Sequence, residues 1–252
     1  QPREYFMGDK APARLMRLRD KLHYLAQAGV DVVIVAKFDC TFANLPAEQF
    51  IEDWLVRKLN VKFLSIGDDF KFGAKRLGNF AMLQQAGKKF GFEVEDSRTF
   101  CLDELRISST AIREALAKDD LQHAQNLLGK PYRIFGRVIH GNKLGRTIGF
   151  PTANVRLHRQ VNPVKGVYAV KVRLKSGEIF DGVANMGIRP TINGTIQLLE
   201  VHLFDFSQNI YGQMVEVEFC HKIRDEIKFP SFEALKAQIE QDVKTAKAFF
   251  AK

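Results

Sequence analysis

The chain has 252 residues, enough for two ordinary domains, and carries a net charge of +9. Its hydrophobic fraction of 46% and charged fraction of 27% are those of a soluble globular protein. No apolar run approaches the roughly 18 residues of a membrane span, and no secretory signal is visible. Cys40, Cys101 and Cys220 are far apart and odd in number, which fits a reducing cytoplasm and argues against a disulfide frame or zinc knuckle. The positive charge is either a generally basic surface or an attraction for phosphate-bearing small ligands. Nucleic acid ranks last, because no RNA- or DNA-binding motif occurs.

The first half alternates helix and strand signals. Leu15, Leu18, Leu22 and Leu25 recur at helical spacing, with Gly29 as the stop. Val30 to Phe38 reads as a buried strand, Glu48 to Leu59 as a helix, and Val61 to Ile66 as a second strand. Phe80 to Phe90 reads as a helix closed by Gly91, followed by a strand from Phe92 to Val94. Helices follow at 110–118 and 120–128, with Gly129 closing the second. This alternation predicts an α/β unit with a parallel sheet over 1–129.

Lys130-Pro131 marks a change to a second domain, 130–252. Strands are predicted at 134–139, 167–174, 179–185, 197–204 and 214–223, separated by Gly, Pro and Asn turns, with a hairpin at Lys175-Ser176-Gly177. Five or six strands with little helix between them predict a small antiparallel barrel. Ser231 caps a final helix whose stripe of Phe232, Leu235, Ile239, Val243, Ala246 and Phe250 reads as core packing rather than a ligand site.

The most informative stretch is GRVIHGNKLGRTIGFPTAN, from Gly136 to Asn154. A glycine-dense loop lets backbone N–H groups approach an anion. Thr152 and Asn154 point to one side if that piece is extended, and both are hard oxygen ligands that Mg²⁺ accepts beside phosphates. The pattern suggests a nucleotide site that is neither a Walker A loop nor a dinucleotide-binding fingerprint.

This stretch, together with GVYAV at Gly166, GVANMGIRPT at Gly182, LEVHLFDF at Leu199 and YGQMVEVEF at Tyr211, resembles the riboflavin kinase domain. The resemblance implies a six-stranded antiparallel barrel that transfers the γ-phosphate of ATP to riboflavin, giving FMN. By the same resemblance Thr152 and Asn154 hold Mg²⁺ and the ATP phosphates, and Glu200 of the EVH strand is the general base. Gly136, His140, Gly141, Gly145 and Gly149 belong to the nucleotide loop, while Arg189, Thr191 and Arg224 lie toward the flavin. His140 and His202 read as rim or supporting residues rather than proton carriers.

The first half, through KFLSIGDDFKFG at Lys62 and RISSTAIREAL at Arg106, resembles an FMN adenylyltransferase of the nucleotidyltransferase superfamily. Ser108, Ser109 and Thr110 precede a helix whose N-terminus can hold a phosphate, and Asp69 and Arg106 are implied on the flavin side. The expected whole is therefore an incomplete Rossmann-like nucleotidyltransferase domain followed by a six-stranded, riboflavin kinase-like barrel with a C-terminal helix. The six histidines include no H-x-G-H, and the chain opens at Gln1 where the family has passed its second strand. Either the polypeptide is an N-terminal truncation or the earlier residues are outside this sequence. On that footing FMN adenylylation is expected to be poor, and the first half to be marginal unless something covers its exposed edges.

Two functions compete beside the kinase: a flavin-binding or delivery module without turnover, and nucleic-acid binding through the positive charge. The sequence assigns riboflavin, FMN and ATP as partners, no membrane, a cytoplasmic location, and no oligomeric state.

Overall fold

Two units account for the chain, one formed by Gln1–Ala11 with Val32–Ile107, the other by Pro12–Asp31 with Ser108–Lys252. The computed structural model describes residues 2–67, 69–97, 101–102, 105–141, 145, 149–157, 159, 161–191 and 194–251. At 9, 101, 102, 105, 188–191 and 194–196 it describes the backbone course alone. The helices used below are α1 (Pro2–Met7), α2 (Leu18–Gln27), α3 (Cys40–Ala43), α4 (Ala47–Gln49), α5 (Phe80–Phe90), α6 (Ser109–Ala117), α7 (Leu121–Leu128) and α8 (Phe232–Phe250). The strands are β1 (Phe63–Ile66), β2 (Glu93–Asp96), β3 (Cys101–Leu102), β4 (Leu105–Arg106), β5 (Arg133–Ile139), β6 (Ala153–Arg156), β7 (Gly166–Arg173), β8 (Ile179–Thr191), β9 (Gly194–Leu203) and β10 (Met214–Arg224).

In the first unit β1 and β2 pair in parallel, Phe63 opposite Glu93 through Ile66 opposite Asp96, with α5 as the connection. Helix α5 begins where the Asn79 side chain accepts the Met82 N–H at 3.0 Å and ends on Gly91 at φ +75°. Its inner face buries Leu83 and Ala86 against Ile51 and Leu55, which lie on the wide helical turns of Phe50–Lys58 continuing α4, and against Phe72 and Phe92. The expected strand from Val30 to Phe38 is absent: no ladder forms there among the described residues, and Val32, Ile34 and Val35 are 76%, 56% and 56% exposed. β-Branched side chains favour extended backbone, but a strand also needs a neighbour to take its N–H and C=O groups.

The second unit is a closed antiparallel barrel in the order β10-β5-β6-β9-β8-β7. Alternation decides what fills it. Ile134 and Val138 of β5, Val155 of β6, Leu199 and Val201 of β9, and Val217 and Phe219 of β10 are buried. On the outside of β5 and β10, Arg133 donates to Glu218 and Glu216, both at 2.8 Å. Strand β8 extends past the expected stretch to Thr191, and the four-residue β6 escaped the sequence pattern altogether.

Helix α8 starts where Ser231 Oγ accepts the Ala234 N–H at 3.2 Å. Its C-terminal half lays Val243, Ala246 and Phe250 on Val167, Ala169 and Val183. Segment Pro12–Asp31 joins this unit through Arg159, which donates to the Arg14 carbonyl at 3.2 Å and the Tyr132 hydroxyl at 3.0 Å and stands 3.5 Å from Asp20. Lys130 and Pro131 sit inside this unit, between α7 and β5.

Candidate active site on the barrel wall

Three neighbouring strands place three polar side chains in one row. Asn154 of β6 faces Glu200 of β9, and Glu200 faces Asn185 of β8. Directly opposed residues lie on the same face of a sheet, with Cβ atoms about 4.5–5.5 Å apart. Leu199 and Val201 fill the interior, so Glu200 and its partners point outward. At Glu200 and Asn185 the wall is the floor of a cleft of about 410 Å³ that also takes in Thr152, His202 and Arg224.

Thr152 and Glu200 line this cleft, and Asn154 lies opposite Glu200 on the neighbouring strand. His202 holds the start of that segment, its Nδ1 lying 2.9 Å from the Pro151 carbonyl, which is a supporting role. Asn154 is 5% exposed and its amide lies against Gly141, where an added Cβ would meet Nδ2 at 2.2 Å. Only glycine lets the chain pass that closely. Gly136 sits in mid-β5, where a Cβ would meet Val155 Cγ1 at 2.3 Å, so its position is one of strand packing. Gly145 lines the cleft, and Gly149 turns the chain at φ +86°. Residues 142–144 and 146–148 of the same loop lie outside the described residues.

His140 stacks on Tyr211 with ring centroids 3.9 Å apart. Tyr211 lines a second cleft of about 510 Å³ with Val138, Ala153, Phe206 and Asn209, and Thr152 belongs to both clefts. Thr152, just before β6, is therefore a residue that the two spaces share.

Arg224 ends β10. Its Nε and Nη2 donate to the Asp242 carboxylate of α8 at 2.9 and 2.7 Å, and Gln238 donates to the same group at 2.9 Å. Asp242 is 3% exposed, so this is a buried, charge-assisted fork. Two residues before Arg224, Lys222 donates to Asp119 at 2.9 Å and to the Lys165 carbonyl at 2.6 Å. The Tyr168 hydroxyl donates to Asp119 as well, and burial with that carboxylate holds the phenol far above its usual range. These bonds fix the point where Glu226, Ile227 and Phe229 depart to wall the cleft.

The stripe on α8 needs correcting. Phe232, Leu235 and Ile239 line the cleft, and only the later half of the helix is core. Asn185 was missed as well. Its signal was a polar residue among Val183, Ala184 and Met186, but the strand order that sets it beside Glu200 has no local signature. The backbone of Arg189 and Thr191 lies in β8, and their side chains are outside the described residues.

At the start of α6, Ser108 Oγ accepts the Ala111 N–H at 3.1 Å, so its hydroxyl caps the helix. Ser109 and Thr110 form the first turn, with Arg113 donating to the Ser109 carbonyl at 2.9 Å. In the first unit Arg106 of β4 pairs with Asp69 at 3.1 Å, both well exposed.

A riboflavin kinase family model matches residues 128–250, and an FAD synthetase model matches residues 1–111. A bifunctional riboflavin kinase/FMN adenylyltransferase of Haemophilus influenzae is 83% identical over 250 residues, covering 99% of this chain and 81% of that one. The chain belongs to the bifunctional riboflavin kinase/FMN adenylyltransferase family. The relative of that name in Escherichia coli (strain K12) is 56% identical over 250 residues, covering 99% and 80%. A crystal structure titled as a macrolide-efflux protein of Streptococcus pneumoniae aligns at 33% identity and a TM-score of 0.75, covering 93% of this chain and 75% of that one. Among the described residues here no helix is long and apolar enough to cross a membrane. Within the family frame the row Asn154–Glu200–Asn185 falls in the riboflavin kinase match, and the Asp69–Arg106 pair in the FAD synthetase match.

Proposed function

We propose that residues 130–252 transfer the γ-phosphoryl group of ATP to riboflavin with Mg²⁺, giving FMN and ADP. The observation that carries this is a carboxylate, Glu200, set between two amides on the floor of a cleft that meets a second cleft at Thr152. Phosphoryl transfer asks chiefly for positioning and charge neutralisation. The flavin takes the cleft under α8, whose Phe232, Leu235 and Ile239 offer it an apolar wall. The nucleotide takes the cleft beside the His140–Tyr211 stack. The acceptor oxygen then attacks the γ-phosphorus while the bond to the β-phosphate oxygen breaks. Glu200 accepts the proton that the hydroxyl loses.

Thr152 and Asn154 are neutral oxygen donors. Among the described residues no group of three or more His, Cys, Asp or Glu could hold a metal. This donor set fits Mg²⁺, which keeps waters and substrate phosphates as its other ligands. When bound, the ion neutralises charge on the phosphates. For the adenylyl-transfer side of the family, Asp69 and Arg106 are assigned to the flavin, and Ser108, Ser109 and Thr110 to phosphate.

Incubation with riboflavin, ATP and Mg²⁺, followed by chromatography, tests the reading. FMN is the expected product, and FAD beside it would show that adenylyl transfer also proceeds. Glu200→Gln should lower turnover about 10²–10⁴-fold with the near-ultraviolet dichroism unchanged. Undiminished turnover in that variant refutes the base. Flavin binding without phosphorylation by the unaltered chain would leave a binding module.

A further inference from the structure

Asn185 carries an obligation that the mechanism above leaves unused. Its Oδ1 is buried and has no hydrogen-bond partner among the described residues. A buried acceptor left in that state destabilises the fold unless something donates to it. The other buried side-chain atoms in that condition belong to Arg159 and Asn162, neither of which lines the cleft that holds Glu200. Asn185 does line it, directly across the strand from Glu200 and on the side away from Asn154.

The position fixes what the donor is. The phosphoryl group arrives over Thr152 and Asn154, on one flank of Glu200. The rest of the acceptor must leave along the other flank, past Asn185. If Glu200 receives the proton of a terminal hydroxyl, the next group along the acceptor chain reaches Asn185. The wall residues beside it on the strands are apolar, Val183 on the same strand and Val167 opposite on β7, while Arg224 and Glu226 supply the charged part of the lining. A buried amide carbonyl between the two valines takes an O–H or N–H donor.

We propose that Asn185 is a specificity-determining residue: its side-chain carbonyl accepts a hydrogen bond from the hydroxyl adjacent to the one phosphorylated. The proposal rests on the kinase reading and adds a requirement for a vicinal diol at the end of the acceptor's polyol chain. A site built around a hydrogen bond rejects a substrate lacking the donor, because its own polar group is then left unpaired.

The experiment compares riboflavin with 4′-deoxyriboflavin in the unaltered chain and in Asn185→Ala and Asn185→Asp. Turnover gives kcat/KM, and quenching of flavin fluorescence gives binding. The unaltered chain should prefer riboflavin by about 10- to 100-fold, the equivalent of 1.4–2.8 kcal/mol. Asn185→Ala should lower kcat/KM for riboflavin to the level of the deoxy compound, erasing the preference, with KM for ATP unchanged. Asn185→Asp keeps an acceptor and cannot donate, so it should keep the preference, though a like charge opposite Glu200 slows both substrates. An unchanged preference in Asn185→Ala overturns the proposal, and so does its loss in Asn185→Asp. A general packing defect would slow both flavins equally. If the unaltered chain made no FMN, the kinase reading would fall. The binding preference would then decide the role of Asn185 separately.

Discussion

At the scale of single residues, the ion pair that closes the cleft invites a quantitative test. Arg224 and Asp242 meet through Nε and Nη2 of the guanidinium, with the carboxylate almost fully buried. Removing one charge of a buried pair leaves the other uncompensated, at about 3–5 kcal/mol. Asp242→Asn is therefore expected to destabilise the barrel unit by that order, measured by urea unfolding followed through tyrosine dichroism. Arg224→Lys keeps the charge but loses the fork, so its loss should be smaller. Equal losses would mean that the fork geometry, and not the charge, decides stability at this site. This pairing was only half legible. The motif resemblance marked Arg224 as a flavin-side cation, and the helical stripe marked α8, but nothing local says that β10 and α8 meet through Asp242. Thr152 and Asn154 were picked out by spacing and motif, and Glu200 by the motif alone. Asn185 was not, because its role comes from β8 lying beside β9.

At the scale of elements, several boundaries were readable from a cap or a glycine. Asn79 and Gly91 delimit α5, Asp120 and Gly129 delimit α7, and Ser231 starts α8. Extended segments were harder. Strand β6 has four residues, too few to show alternation, and Val30 to Phe38 has the composition of a strand without a ladder among the described residues. Helix α6 bears a sharper question, because Ser108 is both a cap and part of the expected phosphate motif. Ser108→Ala should cost about 1 kcal/mol through the lost bond to the Ala111 N–H. Ser108→Asp restores an acceptor and a charge that suits a helix N-terminus, so thermal stability should return to that of the unaltered chain. Failure of Asp to restore it would show that the cap does not govern the stability of α6.

At the scale of the whole molecule, each unit has its own core, and the sequence happens to place an independent probe in one of them. The chain has one tryptophan, Trp54, and it lies in the first unit against Phe42 with ring centroids 5.3 Å apart. Tyr132 and Tyr168 lie in the second unit, both buried. Two cores of separate composition predict two unfolding transitions, one seen by tryptophan fluorescence and one by tyrosine dichroism. Leu83 is fully buried in the first core, so Leu83→Ala should remove about 2–5 kcal/mol there and shift the tryptophan transition downward. Riboflavin with ADP and Mg²⁺ should raise the tyrosine transition instead, by about 2.7 kcal/mol at a hundredfold excess over Kd. A single transition that moves under both perturbations would mean that the units unfold as one cooperative body. The separate assignment of the kinase to the barrel unit would then need a direct measurement of activity in each.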